Sequence, residues 1–250
     1  MNSIIIGTKN ETSKIFSKKK FIFLFSISLL VTVAASTINL LSSRNFGAPL
    51  LNNANLPVTV LNFMSSLLLP LFILMLTSDL FSGEFSDNSI VMSLVRPITR
   101  NKLYISKILA IGISILFLLL GTFLISLIAS LFGGNLSTCL SKLPSNFIAY
   151  VSAVIPMLLV AIITAFAAQF TKSGSLTVVI MILASIFMSA ASLIFPEIIP
   201  FMPTTYLTWY QNFYTDFNLS IILNQLLYIL AYGIIFMFAG TYLFTQKDIS

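Results

Sequence analysis

Histidine is absent from the 250 residues and cysteine occurs once, at Cys139. These absences remove the usual side chains that bind zinc, haem or copper, and the commonest general base. A lone cysteine also excludes an internal disulfide. No glycine-rich loop followed by Lys and Ser or Thr occurs, so the chain lacks the phosphate cradle of a subunit that hydrolyses its own nucleotide. Charge is scarce as well, at 8% of residues. The apolar stretches hold almost no ionisable side chain for a coupling ion, and neither a filter-like loop nor a charged pore ring is visible. A site built of hydroxyls and carbonyls stays open, although no pattern marks one.

What is present is oil. Hydrophobic residues make up 58% of the chain, 23 residues are Phe, and the mean hydropathy is +1.02. Apolar runs of the ~20 residues needed to cross a hydrocarbon core recur without the alternation of a barrel strand. The sequence therefore predicts an all-α integral membrane protein with six spans, at residues 21–41, 58–79, 108–132, 147–170, 176–195 and 221–244. One membrane domain covers 1–250, since no stretch could fold as a separate soluble unit. The segment before the first span ends in Lys18, Lys19 and Lys20. A signal peptide begins similarly, with a loose small-residue site at Val33-Ala34-Ala35-Ser36, but the apolar run is too long for one and reads as an uncleaved first span.

Lys and Arg set the orientation. With the N-terminus in the cytoplasm, eleven of the thirteen basic residues fall inside, and only Arg44 and Lys142 fall outside. The asymmetry places both termini in the cytoplasm, so the net charge of +6 reflects topology rather than a nucleic-acid partner. The same count puts the loop from Pro196 to Ser220 outside. Its rings Tyr206, Trp209, Tyr210 and Phe213 suit an anchoring belt at the membrane interface.

The charges that remain cluster between the second and third spans. Asp79, Glu84, Asp87, Arg96, Arg100, Lys102 and Lys107 lie within 29 positions. Burying a charge at the centre of a span costs roughly 2.5–3.5 kcal/mol, so such a cluster marks wet chain. From Leu80 to Val95 the apolar residues, Ile90 and Leu94 among them, have spacings that suit one or two short amphipathic helices. Ser86-Asp87-Asn88-Ser89 offers an N-cap before Ile90, and Arg96-Pro97 a stop. From composition alone the basic residues read as a plain interfacial loop that sets topology and meets anionic lipid.

The run Asp79-Leu80-Phe81-Ser82-Gly83-Glu84, then Ser89-Ile90, Leu94, Arg96-Pro97-Ile98-Thr99-Arg100 and Lys107, resembles the signature of bacterial type 2 ABC exporter permeases. The likeness extends to six helices, cytoplasmic termini and a closing tail from Phe244 to Asp248. It implies a multi-pass protein of the bacterial cytoplasmic membrane that exports a hydrophobic or amphipathic compound. It further implies a second permease copy or homologue and two ABC ATPase subunits that hold ATP and Mg, with no cofactor in this chain. Contacts to those subunits would run through Asp79, Gly83, Glu84, Asp87, Ile90, Leu94, Arg96, Pro97, Arg100 and Lys107. Glu84 would face the ATPase groove, and Arg96, Arg100 and Lys107 would pair with its acidic side chains or with lipid phosphate. For residues 4–20 the resemblance implies an interfacial connecting helix, where the residues alone also suit a basic tail. For the aromatic group it implies a short re-entrant element on the exit side. An intramembrane enzyme or a structural membrane protein is the alternative. The first would need a Ser/Lys pair, and Lys142 and Lys172 lie in loops.

Overall fold

The computed structural model describes residues 2–46, 53–87, 89, 98–133, 136–214 and 218–247. Helix α1, Asn2–Ser17, is followed after Lys18 by α2, Lys19–Phe46. Then come α3, Leu56–Ser86, α4, Arg100–Gly133, α5, Leu136–Ala167, and α6, Gly174–Ile194. Two 3₁₀ segments, Pro196–Phe201 and Pro203–Phe213, lead to α7, Leu219–Gln246. No strand occurs among the described residues. Six of these helices, α2 to α7, are long and apolar enough to cross a membrane, as the hydropathy pattern requires.

Helices α3, α4 and α5 form the centre, whereas α2, α6 and α7 turn most of their surface outward. Close approach at the centre follows from small side chains. Ala149, Ala153, Ala161 and Ala165 recur at four- and eight-residue spacing on one buried stripe of α5. Such a stripe lets neighbouring backbones come near, the usual basis of helix association in lipid. Gly112 of α4 meets the same helix, where an added Cβ would lie 2.9 Å from Leu158. The outward faces of α6 and α7 carry Leu183, Phe187, Ile235 and Phe238, all exposed in the isolated chain.

Two segments differ from the sequence expectation. Helix α5 begins at Leu136, and Pro144, which reads as a turn signal, lies inside it together with Pro156. Helix α4 starts at Arg100, about two turns before the expected third span, so Lys107 is a helical residue. Its first turn stays wet while the polar face is satisfied by other helices, which apolar-run counting does not detect.

Helix α3 contains two π-helical turns, Met64–Leu68 and Asp79–Gly83. The first precedes Pro70, which has no N–H to offer the preceding turn, so the hydrogen-bond ladder is interrupted there and the turn widens. The end of α7 is closed by Arg100, whose guanidinium donates to the carbonyls of Thr245 and Lys247 at 2.9 and 2.8 Å. Both are orphan acceptors of a helix C-terminus, where a cation is favourable.

Candidate functional site

The charged end of the bundle is built around the last two turns of α3. The segment expected to form a separate surface helix from Leu80 instead continues α3 through Ser86, and Leu80, Phe81, Ser82 and Glu84 are buried. Ile90, Leu94, Arg96 and Pro97 lie outside the described residues, so the N-cap and stop expected around them are not described either.

Glu84 is buried within the chain. Its carboxylate takes the Lys107 ammonium at 2.5 Å on one oxygen and the Lys14 ammonium at 2.9 Å on the other. Lys107 is fully buried and also donates to Glu11 and to the Leu80 carbonyl, each at 3.1 Å. Lys14 closes the ring on Glu11 at 2.9 Å. Two acids and two bases, from α1, α3 and α4, thus form one alternating cycle. The reason for the inward turn is compositional. An unpaired buried charge costs several kcal/mol, and each of these charges has two opposite neighbours.

The electrostatics of α1 follow from the cycle. Burial pushes the Glu11 carboxyl up, but the charges and hydrogen bonds of Lys107 and Lys14 outweigh it and leave the pKa below its ordinary value. Burial likewise acts to lower Lys14, and Glu84 with Glu11 reverses the sign and raises it. The sequence expectation for residues 4–20, an interfacial helix or a basic tail, assigned no pairing to Glu11 or Lys14. The signal was the helical stripe Thr8, Glu11 and Ile15, one face at spacings of three and four, which becomes the buried face of α1. Gly7 allows the docking: a Cβ there would lie 2.6 Å from the Ser106 hydroxyl, which donates to the Ile4 carbonyl at 3.2 Å. The segment is a helix packed on α4, not a loose basic tail.

Other elements clamp the same turns of α3. Asp79 is part-exposed and pairs with Lys20 of α2 at 3.0 Å. Ser82 shares a 2.5 Å hydrogen bond with Thr177 of α6. Gly174 brings α6 close, since an added Cβ would stand 3.3 Å from an Asp79 oxygen. Gly83 is half-buried with ordinary room around it, and Asp87 ends the helix exposed. From α7, Phe244 packs its ring on Phe81, Phe85 and Tyr104, with centroids 6.1, 5.8 and 5.5 Å away. Lys247 lies over Phe85 at 4.3 Å and donates to the Gln169 carbonyl at 3.1 Å. Arg100, expected to pair outward, is half-buried on the α7 carbonyls. A cavity of about 620 Å³ opens beside the cycle, lined by Asn10, Glu11, Lys14, Lys18, Asp79, Glu84 and Asp87.

The match to known families is to the model described as ABC-2 family transporter protein, over residues 8–188. The chain belongs to the ABC-2 transporter family. It is therefore a multi-pass permease of an ABC transporter, and the region matched holds α2 to α5 together with Glu11 and Lys14 of α1. Comparison with curated proteins found no match.

At the opposite end, the aromatic residues do not form an exposed belt. Tyr206, Trp209 and Tyr210 are buried on the second 3₁₀ segment and Phe213 is half-buried against Trp209. The Tyr210 hydroxyl bonds to Asn62 at 2.8 Å and to Ser65, beside the first π-turn of α3. Gln211 donates to the same Asn62 oxygen at 3.1 Å, and the Trp209 indole N–H donates to the Ile222 carbonyl at 3.3 Å. Their polar tips find protein partners, which is why the rings enter the bundle rather than rest among headgroups.

Proposed function

We propose that this ABC-2 permease is the membrane-spanning subunit of an ATP-driven exporter of a hydrophobic or amphipathic compound, such as a peptide antibiotic or a lipid. It works in a bacterial cytoplasmic membrane with a second permease copy or homologue and two separate ATPase subunits, which hold ATP and Mg. One observation carries this reading: the acidic end of α3 is clamped at once by α1, α2, α4, α6 and α7. Force applied beside that end reaches five helices, and a packed cluster of this kind switches between discrete arrangements rather than bending gradually.

In this scheme exposed Asp87 and the segment that follows it, with Ile90, Leu94, Arg96 and Pro97, meet the ATPase. Glu84 and Lys107 stand behind the contact as positioning residues, joining α1 and α4 to α3. Asp79, Gly83 and Arg100 hold the turn in place, and Tyr206, Trp209, Tyr210 and Phe213 close the exit side. The chain is coexpressed with a candidate ABC ATPase and purified in mild detergent. The ATPase should co-purify, and Glu84→Gln should reduce transport while leaving the complex assembled. Failure to recover an ATPase, together with unchanged transport by Glu84→Gln, defeats the proposal.

A further inference from the structure

A second cavity, of about 460 Å³, lies between α2, α3 and α6 at the charged end. Its walls are apolar, with Leu24, Met75, Val178 and Val179 among them, and its mouth carries Lys18 and Lys20. The helices that flank its opening turn apolar side chains outward, Phe23 of α2 and Val179 of α6 being more than half exposed. In a bilayer the medium against that opening is lipid.

Lys18 is the unusual residue. It sits in the one-residue break between α1 and α2, half-buried, and lines both this crevice and the polar cavity beside the charge cycle. Among the described residues its ammonium has no ion pair, whereas Lys20 has one and Lys14 and Lys107 have two each. Burial pushes its pKa down, against the more distant charges of Glu84 and Asp79. Lys20 is spoken for by Asp79 yet its side chain remains 74% exposed, and Lys19 is exposed as well. Two ammonium groups, Lys18 and Lys20, therefore share a single carboxylate, Asp79, in the lining of an apolar slot.

We infer that this crevice holds an anionic glycerophospholipid of the surrounding membrane, its phosphate on Lys18 and Lys20 and one acyl chain along Leu24, Met75 and Val179. The charge pattern selects this occupant. An apolar surface laid over the slot, such as a second copy's helix, would deepen the burial of Lys18 without supplying a counter-charge, which is costly. A headgroup phosphate supplies it, and the chain beneath covers the apolar walls. The inference does not depend on the transport reading, and its test needs no ATPase.

The full chain is purified, stripped of lipid, and titrated with phosphatidylglycerol or phosphatidylcholine, with bound lipid counted by native mass spectrometry and thermal stability followed in parallel. Wild type should retain phosphatidylglycerol preferentially and be stabilised by it. Lys18→Gln should weaken that binding about fivefold, as loss of one lysine near a charged lipid surface predicts. Val179→Trp, which fills the slot, should weaken both lipids, and Lys142→Gln at the other end should change neither. Should Lys18→Gln not fold, Lys18→Arg must keep the preference. Equal retention of the two lipids by wild type, or an unchanged preference in Lys18→Gln, overturns the inference. So does disulfide cross-linking of two copies through Val179→Cys in a Cys139→Ser background in the lipid-free state, because a second copy then covers the slot.

Discussion

Glu84 and Lys107, 23 positions apart in the chain, meet at 2.5 Å with neither side chain open to solvent. The pair fixes the end of α3 to the second turn of α4, and through Glu11 and Lys14 it also fixes α1. Because each charge has two opposite partners, removing one unbalances the rest. The cluster is a joint between helices and not a free surface.

Lys107→Met should be the most damaging single change at this end. It leaves two buried carboxylates sharing only Lys14, and loss of one partner from a buried pair typically costs about 3–5 kcal/mol. Lys14→Met, at a side chain 35% exposed, should cost clearly less. Thermal unfolding in detergent ranks the two. Equal effects would show that Lys107 is not the centre of the cycle.

The docking of α1 should depend on pH at both extremes. The Glu11 pKa is lowered on folding, so its contribution is present above the ordinary 4.5 and is lost as acid carries the pH down through the folded value. The Lys14 pKa is raised, so its contribution is present below 10.5 and is lost as the pH rises through a folded value above that. Protease protection of α1 should therefore stay flat across neutral pH and decline on both sides. A transition centred near neutrality would contradict the assignment.

Gly240 of α7 faces Tyr104 of α4 so closely that an added Cβ would collide with the Tyr104 hydroxyl. That hydroxyl is buried and has no hydrogen-bond partner among the described residues. Gly240→Ala should lower stability by about 1–3 kcal/mol, the usual effect of overpacking, and Tyr104→Phe should restore part of it. Tyr104→Phe alone should be close to neutral, since it removes an unpaired polar group. A double variant no more stable than Gly240→Ala would locate the clash elsewhere.

Tyr210→Phe tests the closure at the other end. The variant removes hydrogen bonds to Asn62 and Ser65 and leaves polar atoms buried with fewer partners, a loss of about 1–3 kcal/mol. Trp209 is the single tryptophan and lies one residue away in a buried site, so its emission should shift to longer wavelength as the 3₁₀ segment loosens. Unchanged emission and stability would show that the contact contributes little.

The sequence by itself determined the class. Runs such as Phe21 to Leu41 are long and apolar enough that in lipid their backbone groups have no partners but one another, so six helices follow from composition and length. The run from Asp79 to Lys107 also carried enough pattern to point to the right family. Counting charges as wet, however, misplaced Glu84 and Lys107. One side chain's charge says only that burial is costly, and the cost is cancelled by partners on other helices that linear spacing cannot reveal. Glu11 entered the cycle because α1 folds back across α4 at Gly7, and Tyr210 and Trp209 moved inside because Asn62, Ser65 and the Ile222 carbonyl receive their polar tips. The tertiary structure decided these placements: long-range pairing determines which polar atoms are satisfied, and satisfied polar atoms can be buried.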